Sequence, residues 1–391
     1  MMDVIKYIVC MLLFLLSLLF ICFHSQILDQ RLIDTQWGPA LNTSGPWKPI
    51  WLETFTERIS QFLVRQSVSE DLSTAKIIIN GTASSAQPSS TILLTVTNPN
   101  GSTLLTEETP ISSTGTFSTT LTVSNPELWY PFTYGSQPLY TISGALNKTS
   151  HTETRTLGLR RLQLLQHPLT SAPGTSFLFS INNISIFCGG SCWIPGDYLL
   201  PRMTPSRYSS WLKLAKSGNQ CMIRVWGGGI VESDEFYRVC DEEGILVWQD
   251  FLFACGDYPA EEGFVELVKK EAEQQVERVG HHASLVIWVG NNEDYMLAEM
   301  WGWEYDIDDQ VSREARRCLA GRRSDMKQEG PWDKTNFPAR KIYERVLPEI
   351  CERLAGDVPY WRSSPYGGTI SNDVTVGDTH IWSGKLLFLS C

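Results

Sequence analysis

The segment from Ser284 to Glu293, SLVIWVGNNE, constrains the fold more than any other part of the 391-residue chain. Leu285, Val286, Ile287, Trp288 and Val289 follow one another without polar alternation. Such a run reads as a strand covered on both faces, as in a parallel barrel. In parallel barrels the C-terminal strand ends carry the chemistry. Here that end presents Asn291, Asn292 and Glu293.

The neighbouring sequence repeats the theme. Pro205 stands at a helix-start position, and Gly218-Asn219 closes that helix. Next come the strand Cys221 to Trp226 and the glycines 227 to 229. Ser233 is placed to cap a helix that runs to Glu243 and stops at Gly244. Ile245 to Phe253 reads as a strand, and Phe264 to Val279 as an amphipathic helix. Beyond the Glu293 strand and a Trp-rich insertion, Arg340 to Leu354 reads as a helix, with Val358 to Pro365 and Asp378 to Trp382 as two more strands. Repeated strand–helix units predict a (β/α) barrel, with about six of its eight strands recognisable.

The region before it differs. From 56 to 166 Ser and Thr are frequent, and short alternating runs appear at Lys76 to Ile79, Thr91 to Thr97, Thr116 to Val123 and Leu139 to Ile142. Turn signals such as Asn80-Gly81 and Asn98-Pro99-Asn100-Gly101 separate them. This spacing predicts an all-β sandwich. No titratable cluster falls within it, so it reads as a structural module. Residues 28–55 are too few for a domain.

Net charge of −11 argues against nucleic acid as a partner. Ten Cys are scattered without a paired CxxC framework, so buried free thiols are expected, with no metal or cofactor. Cysteine usage of this kind looks intracellular. The N-terminus points elsewhere. Tyr7 to Phe23 has Ser17 as its one polar residue, and as a helix would span roughly 26 Å, at the short end for a bilayer. No small-x-small cleavage site follows, so residues 1–27 read as an uncleaved signal anchor. Membrane or secretory localisation is the expectation, or an intracellular one if that segment is an artefact of gene prediction. Oligomeric state is not legible.

At the predicted strand ends, Arg224 and Trp226, Gln249 and Asp250, Asn292 and Glu293, and His380 and Trp382 converge on one mouth. Desolvation can raise a carboxyl pKa beside Trp and Asn, which suits a general acid. Sugar hydrolysis needs two such carboxylates. Each feature also has a structural reading. Glu293 can serve as a first-turn helix residue favoured by the dipole. Gly227 to Gly229 lacks a phosphate-loop pattern and reads as a tight turn. His281-His282 reads as a surface connection, and Asp306 to Asp309 as a solvated loop.

Several segments carry a family resemblance: Arg224 to Pro259, VGNNEDY at Val289 to Tyr295, CGGSCWIPGD at Cys188 to Asp197, SSPYGG at Ser363 to Gly368 and GDTHIW at Gly377 to Trp382. They resemble fungal β-mannosidases of glycoside hydrolase family 2. The resemblance implies a retaining enzyme that releases terminal non-reducing β-D-mannose from mannosides or N-glycan cores. It also implies an immunoglobulin-like β-sandwich at 56–166, a jelly-roll remnant at 28–55 and an incomplete (β/α)8 TIM barrel at 167–391. By it, Glu293 matches the general acid/base and Asn292 the neighbour that bonds the sugar 2-hydroxyl. Trp226 and Trp301 match aromatic subsite positions, and Arg224, His380 and Trp382 match pocket residues.

The departures shape the remaining expectations. The family's substrate-contacting Asp before its WGP segment is Gln36 here, ahead of Trp37-Gly38-Pro39. No SEFG-like nucleophile motif occurs, and Glu344, Glu349 and Glu352 lie on a predicted helix. A retaining enzyme needs its two carboxyls about 5–5.5 Å apart. The sequence therefore predicts a chain truncated at both ends and without turnover. The alternative is a membrane-tethered sugar-binding non-enzyme with a degenerate pocket.

Overall fold

The computed structural model describes residues 48, 50, 52–86, 89–149, 151–302, 337–368 and 370–381. The hydrophobic stretch Tyr7 to Phe23, the WGP segment, the acidic run at 306–309 and Trp382 lie outside these. Among the described residues no helix is long and apolar enough to cross a membrane.

Seven strands make two antiparallel sheets. They are β1 (Arg58–Val68), β2 (Thr74–Ser84), β3 (Thr91–Thr97), β4 (Thr103–Pro110), β5 (Thr116–Ser124), β6 (Tyr140–Leu146) and β7 (Thr152–Leu157). One sheet has the order β1-β2-β5 and the other β4-β3-β6-β7. The alternation in the sequence decides which face is inside. In β2 the buried residues are Ala75, Ile77, Ile79, Gly81 and Ala83; in β3 they are Ile92, Leu94 and Val96. With Phe62, Phe117, Leu121 and Ile142 they form one apolar core between the sheets.

A small antiparallel sheet follows, from β8 (Leu162–Leu165), β9 (Leu178–Ile181) and β10 (Ile184–Ile186). Then comes an all-parallel sheet of β11 (Gly190–Trp193), β12 (Met222–Val225), β13 (Leu246–Asp250), β14 (Leu285–Val289) and β15 (Tyr360–Trp361), in chain order. The helices are α1 (Pro205–Ser217), α2 (Asp234–Glu243), α3 (Glu262–Val279), α4 (Asp294–Met300) and α5 (Leu347–Ala355), the last preceded by a π-turn at Ile342–Val346.

Both faces of the parallel sheet are covered at β12, β13 and β14, as their apolar runs require, whereas Gly190, Ser191 and Cys192 of β11 are exposed, so Cys192 is not the buried thiol expected. Ile223, Val225, Val247, Leu285 and Trp288 pack with helix residues such as Leu212, Phe236, Val276 and Ile350. Met222, Leu246, Trp248, Ile287 and Val289 pack with Phe179, Ile181 and Ile186 of the small sheet.

The helix signals act in part as expected. Thr204 accepts from the Arg207 backbone N–H at the start of α1. Gly244 ends α2 in the left-handed conformation, at φ 71°. Ser233 precedes α2 but makes no side-chain capping bond.

Two expectations are corrected. The sixth strand is not found among the described residues: 378–381 form a loop, with Asp378 in a single antiparallel bridge to Tyr366. The described strands of the sheet number five. His282 is not at the surface. It is 5% exposed, and its Nδ1 lies 2.6 Å from Asp241 Oδ2. Asp241 Oδ1 also accepts from the Ser284 backbone N–H, so this pair fixes the start of β14.

Candidate active site

The polar residues of the parallel sheet gather at its C-terminal ends. β14 leads through Gly290 into Asn291, Asn292 and Glu293, and α4 begins at Asp294. Glu293 takes φ 70°, the left-handed conformation rare for a residue with a Cβ. Its backbone N–H donates to Ser364 O at 2.8 Å, and its own C=O accepts from Leu297 N–H as α4 starts. Glu293 is thus the N-cap residue of α4, yet its carboxylate makes no capping bond. The turn aims it at two other groups. His380 Nδ1 lies 2.7 Å from Oε1, and the Cys255 thiol donates to Oε2 at 3.3 Å.

Cys255 is itself left-handed, at φ 50°. Burial, and then the Glu293 charge, push its thiol up to about 12. It is therefore a neutral donor at physiological pH. For Glu293, burial favours the neutral acid. The hydrogen bonds from His380 and Cys255 and the positive charge of Arg224 outweigh it, leaving the carboxyl below its ordinary pKa. The raised value expected from desolvation alone is not what this arrangement gives, because sequence cannot show the donors.

Arg224 organises the floor. Its Nη2 donates to Asp250 Oδ2 at 2.8 Å and to Asn292 Oδ1 at 2.9 Å, and its Nε faces both Asp250 oxygens. Burial opposes the Arg224 charge, but Asp250 more than compensates and raises its pKa. Asp250 is fully buried and accepts also from Trp248 Nε1 at 2.8 Å and the Gly227 backbone N–H at 3.1 Å. The glycine turn is needed here. A Cβ on Gly227 would lie 2.6 Å from the carbonyl oxygens of Phe251 and Phe253.

Arg224 Nη1 approaches His380 Nε2 at 3.1 Å. An arginine N–H can only donate, so Nε2 accepts and Nδ1 carries the proton toward Glu293. Asn292 completes the ring by donating from Nδ2 to Cys255 Sγ at 3.4 Å. The structure thus brings Arg224, Asn292, Glu293 and His380 into one hydrogen-bonded cluster. Trp226 directly follows β12, two residues after Arg224, and is 7% exposed. Trp301 follows the last residue of α4 as its C-cap and is 57% exposed. Trp382 lies outside the described residues.

Sequence reasoning passed over four participants. Cys255 read as one more buried thiol, and Ser364 and Asp378 lay inside quoted motifs without being singled out. Ser364 Oγ lies 2.6 Å from Asp378 Oδ2 and 2.9 Å from His380 Nε2. Asp378 Oδ1 accepts from Trp361 Nε1 at 2.9 Å and from Tyr366 N–H at 3.1 Å. The fourth is Asn372, whose side chain bonds both backbone groups of His380 at 2.8 Å. Among the described residues no group of His, Cys, Asp and Glu is arranged to hold a metal.

The description "Glycosyl hydrolases family 2" matches residues 57–160. That match takes in the sandwich, and the relatives that align with the chain over 89% of its length are named as β-mannosidases. The chain is 42% identical over 352 residues to "Beta-mannosidase B" of Thermothelomyces thermophilus and 40% identical over 351 residues to that of Emericella nidulans. Each match takes in 89% of this chain and 39% of the relative, so the chain spans about two-fifths of the length of the curated relatives it matches. Among solved structures, the β-D-mannosidase of Dictyoglomus thermophilum superposes with a TM-score of 0.73 at 35% identity, over 90% of this chain and 41% of that one. A Parabacteroides merdae β-glucuronidase, at 17% identity and TM-score 0.53 over 61% of this chain and 29% of that one, shares the fold.

Proposed function

We propose that this chain carries the acid/base side of a glycoside hydrolase that releases terminal non-reducing β-D-mannose from mannosides or N-glycan cores. Glu293 is the general acid/base, and Asn292 bonds the sugar 2-hydroxyl. Arg224 and His380 orient these two. Trp226, Trp301 and Trp382 line the sugar subsite. The five-stranded parallel sheet is read as part of a (β/α)8 barrel. Residues 56–166 are read as an immunoglobulin-like module and 167–391 as the catalytic domain.

The observation that carries this reading is the Glu293 turn. A left-handed strand-to-helix corner presents one carboxylate between a thiol donor and an imidazole. An Arg-held Asn lies immediately beside it. Asp250 and Asp378 are poor candidates for a second reacting carboxylate, because their oxygens are engaged by Arg224, Trp248 and Gly227 or by Ser364, Trp361 and Tyr366. Neither the expected lack of turnover nor the sugar-binding alternative gains support from the relatives, which are named as enzymes.

The test is hydrolysis of an aryl β-mannoside by the purified protein. Glu293→Gln is expected to lower turnover by about 10²–10⁴-fold, the usual contribution of a positioned proton donor. Mannose binding without any turnover that depends on Glu293 would instead favour the sugar-binding protein.

A further inference from the structure

α4 has Glu293 as its N-cap and Glu299 in its last turn. Six residues of helix rise about 9 Å, so the two side chains mark the ends of a short rigid rod. The segment 371–380 meets both ends. At the far end Glu299 accepts from Ser371. The hydroxyl donates to Oε2 at 2.8 Å, and the backbone N–H faces Oε1 at 2.9 Å and Oε2 at 3.1 Å. At the near end His380 Nδ1 lies 2.7 Å from Glu293 Oε1. Asn372, directly after Ser371, closes the span. Its Nδ2 donates to His380 O, and its Oδ1 accepts from His380 N–H, both at 2.8 Å. A side-chain amide offers one acceptor and one donor side, as a peptide group does, so Asn372 stands where a neighbouring strand would.

Apolar burial does little to hold this segment. Ser371 is 1% exposed, but Val374 and Ile381 are 80% and 75% exposed. Arg224 Nη1 and Ser364 Oγ reach the imidazole at Nε2 and so set how the ring is turned. Where the backbone that carries the ring stands is set by the polar grips on 371, 372 and 380. The contacts form a closed circuit: α4, Glu299, Ser371, Asn372, His380, Glu293 and back to α4. One helix thereby places both the Glu293 carboxylate and the imidazole that faces it.

We propose that Glu299 and Asn372 are positioning residues that hold the His380 imidazole against the Glu293 carboxylate, by tying its segment to the far end of the helix that Glu293 begins. The proposal rests on the reading of Glu293 as the acid/base. Both residues act through His380 and not on the sugar.

Glu299→Ala and Asn372→Ala are each expected to lower kcat/KM on an aryl β-mannoside by about 10–10²-fold, as a small misplacement of a reacting group does. The deciding measurement is a double-mutant cycle with His380→Ala. Once the imidazole is gone, neither variant should cost more than about a further twofold. A merely structural role would lower activity with or without the imidazole, so losses that multiply with that of His380→Ala would overturn the proposal. Asn372→Asp keeps the acceptor for His380 N–H, and Glu299→Gln keeps an acceptor for Ser371. They should give smaller losses with the same dependence on His380, and they replace any alanine variant that does not fold. Absence of Glu293-dependent turnover in the unaltered protein would sink the acid/base reading instead. Positioning is then judged by NMR, from the downfield resonance of the proton between Glu293 Oε1 and His380 Nδ1, identified by its loss in His380→Ala. It should broaden or vanish in Glu299→Ala and Asn372→Ala. A resonance unchanged in both, or absent from the unaltered protein, would overturn the positioning.

Discussion

In the sandwich, β3 and β6 alternate buried with more exposed positions, whereas β13 and β14 are buried at every position. The consequence is electrostatic. A one-faced sheet sends its polar side chains to water, so the sandwich core is built from residues such as Ile77, Ile92, Leu94 and Ile142. A sheet covered on both faces has no wet side. Its polar residues stay inside and must find partners there, as Asp250, Gln249, Asn291 and Asp294 do. The left-handed turns at Cys255 and Glu293 lie in this second region, next to one another. Stability and chemistry are thus divided between two kinds of sheet in one chain.

The seam between them is where the division is tested most severely. Arg160, just after β7, is 1% exposed at its side chain, and its Nη2 donates to Leu285 O in β14 at 2.5 Å. Its Nη1 lies 3.8 Å from Asp357 Oδ2. Gln66 of β1 accepts from Arg160 N–H and donates to Gly158 O. Trp129 Nε1 reaches the Asp241 carbonyl in α2. Arg160→Met would take the nearest cation from half-buried Asp357 and the donor from Leu285 O, and is expected to cost about 3 kcal/mol in chemical denaturation, the low end for a broken buried pair. Adding Asp357→Leu should recover most of that. Two separate unfolding transitions in the unaltered protein would show that the regions are not coupled through this seam.

How much of this was legible depended on the range of the interaction. The sandwich strands could be read because period-two alternation is local, as at Thr91 to Thr97. The parallel strands could be read because unbroken runs such as Leu285 to Val289 are local too. Glu293 and Asn292 stood out by position at the end of such a run. What decides their electrostatics is contributed from far away, by His380 across 87 residues and Cys255 across 38. His282 misled for the same reason. A His-His pair between a helix and a strand looks like a surface loop until Asp241, 41 residues earlier, is seen beneath it. Asp378 in Gly-Asp-Thr reads as turn chemistry, and only the fold places it across from Ser364.

A smaller effect sharpens the contrast from within the covered sheet. Asp294 is fully buried, and burial pushes its carboxyl up to about 8, even though Tyr343 and the Gly256 N–H donate to it. The unfolded value is 3.8. Below that value both states are protonated and Asp294 imposes no cost. Between 3.8 and about 8 only the unfolded chain ionises, so the stability contributed by the neutral acid is lost as pH rises. Asp294→Asn removes the titration. Its melting temperature relative to the unaltered protein should climb from pH 5 to pH 6, corresponding to roughly 1–2 kcal/mol. A gap that does not change with pH would mean that Asp294 stays ionised in the folded state.

The smallest effect belongs to an arginine that looks better paired than Arg160. Arg238 on α2 donates from Nε to Glu235 at 2.8 Å and from Nη2 at 2.6 Å, and it also meets Glu242. The hydrogen bonds of Glu235, acting against slight burial, push its guanidinium pKa up. Its side chain is nevertheless 45% exposed, and both partners are within a turn of the same helix. Water screens such pairs and holding the long side chains costs entropy, so each contributes only about 0.3–0.5 kcal/mol. Arg238→Ala should therefore shift the denaturation midpoint barely, and less still in high salt. A loss as large as that of Arg160→Met would mean that ion pairs at the surface of α2, and not the buried seam, hold the two-face-covered sheet together.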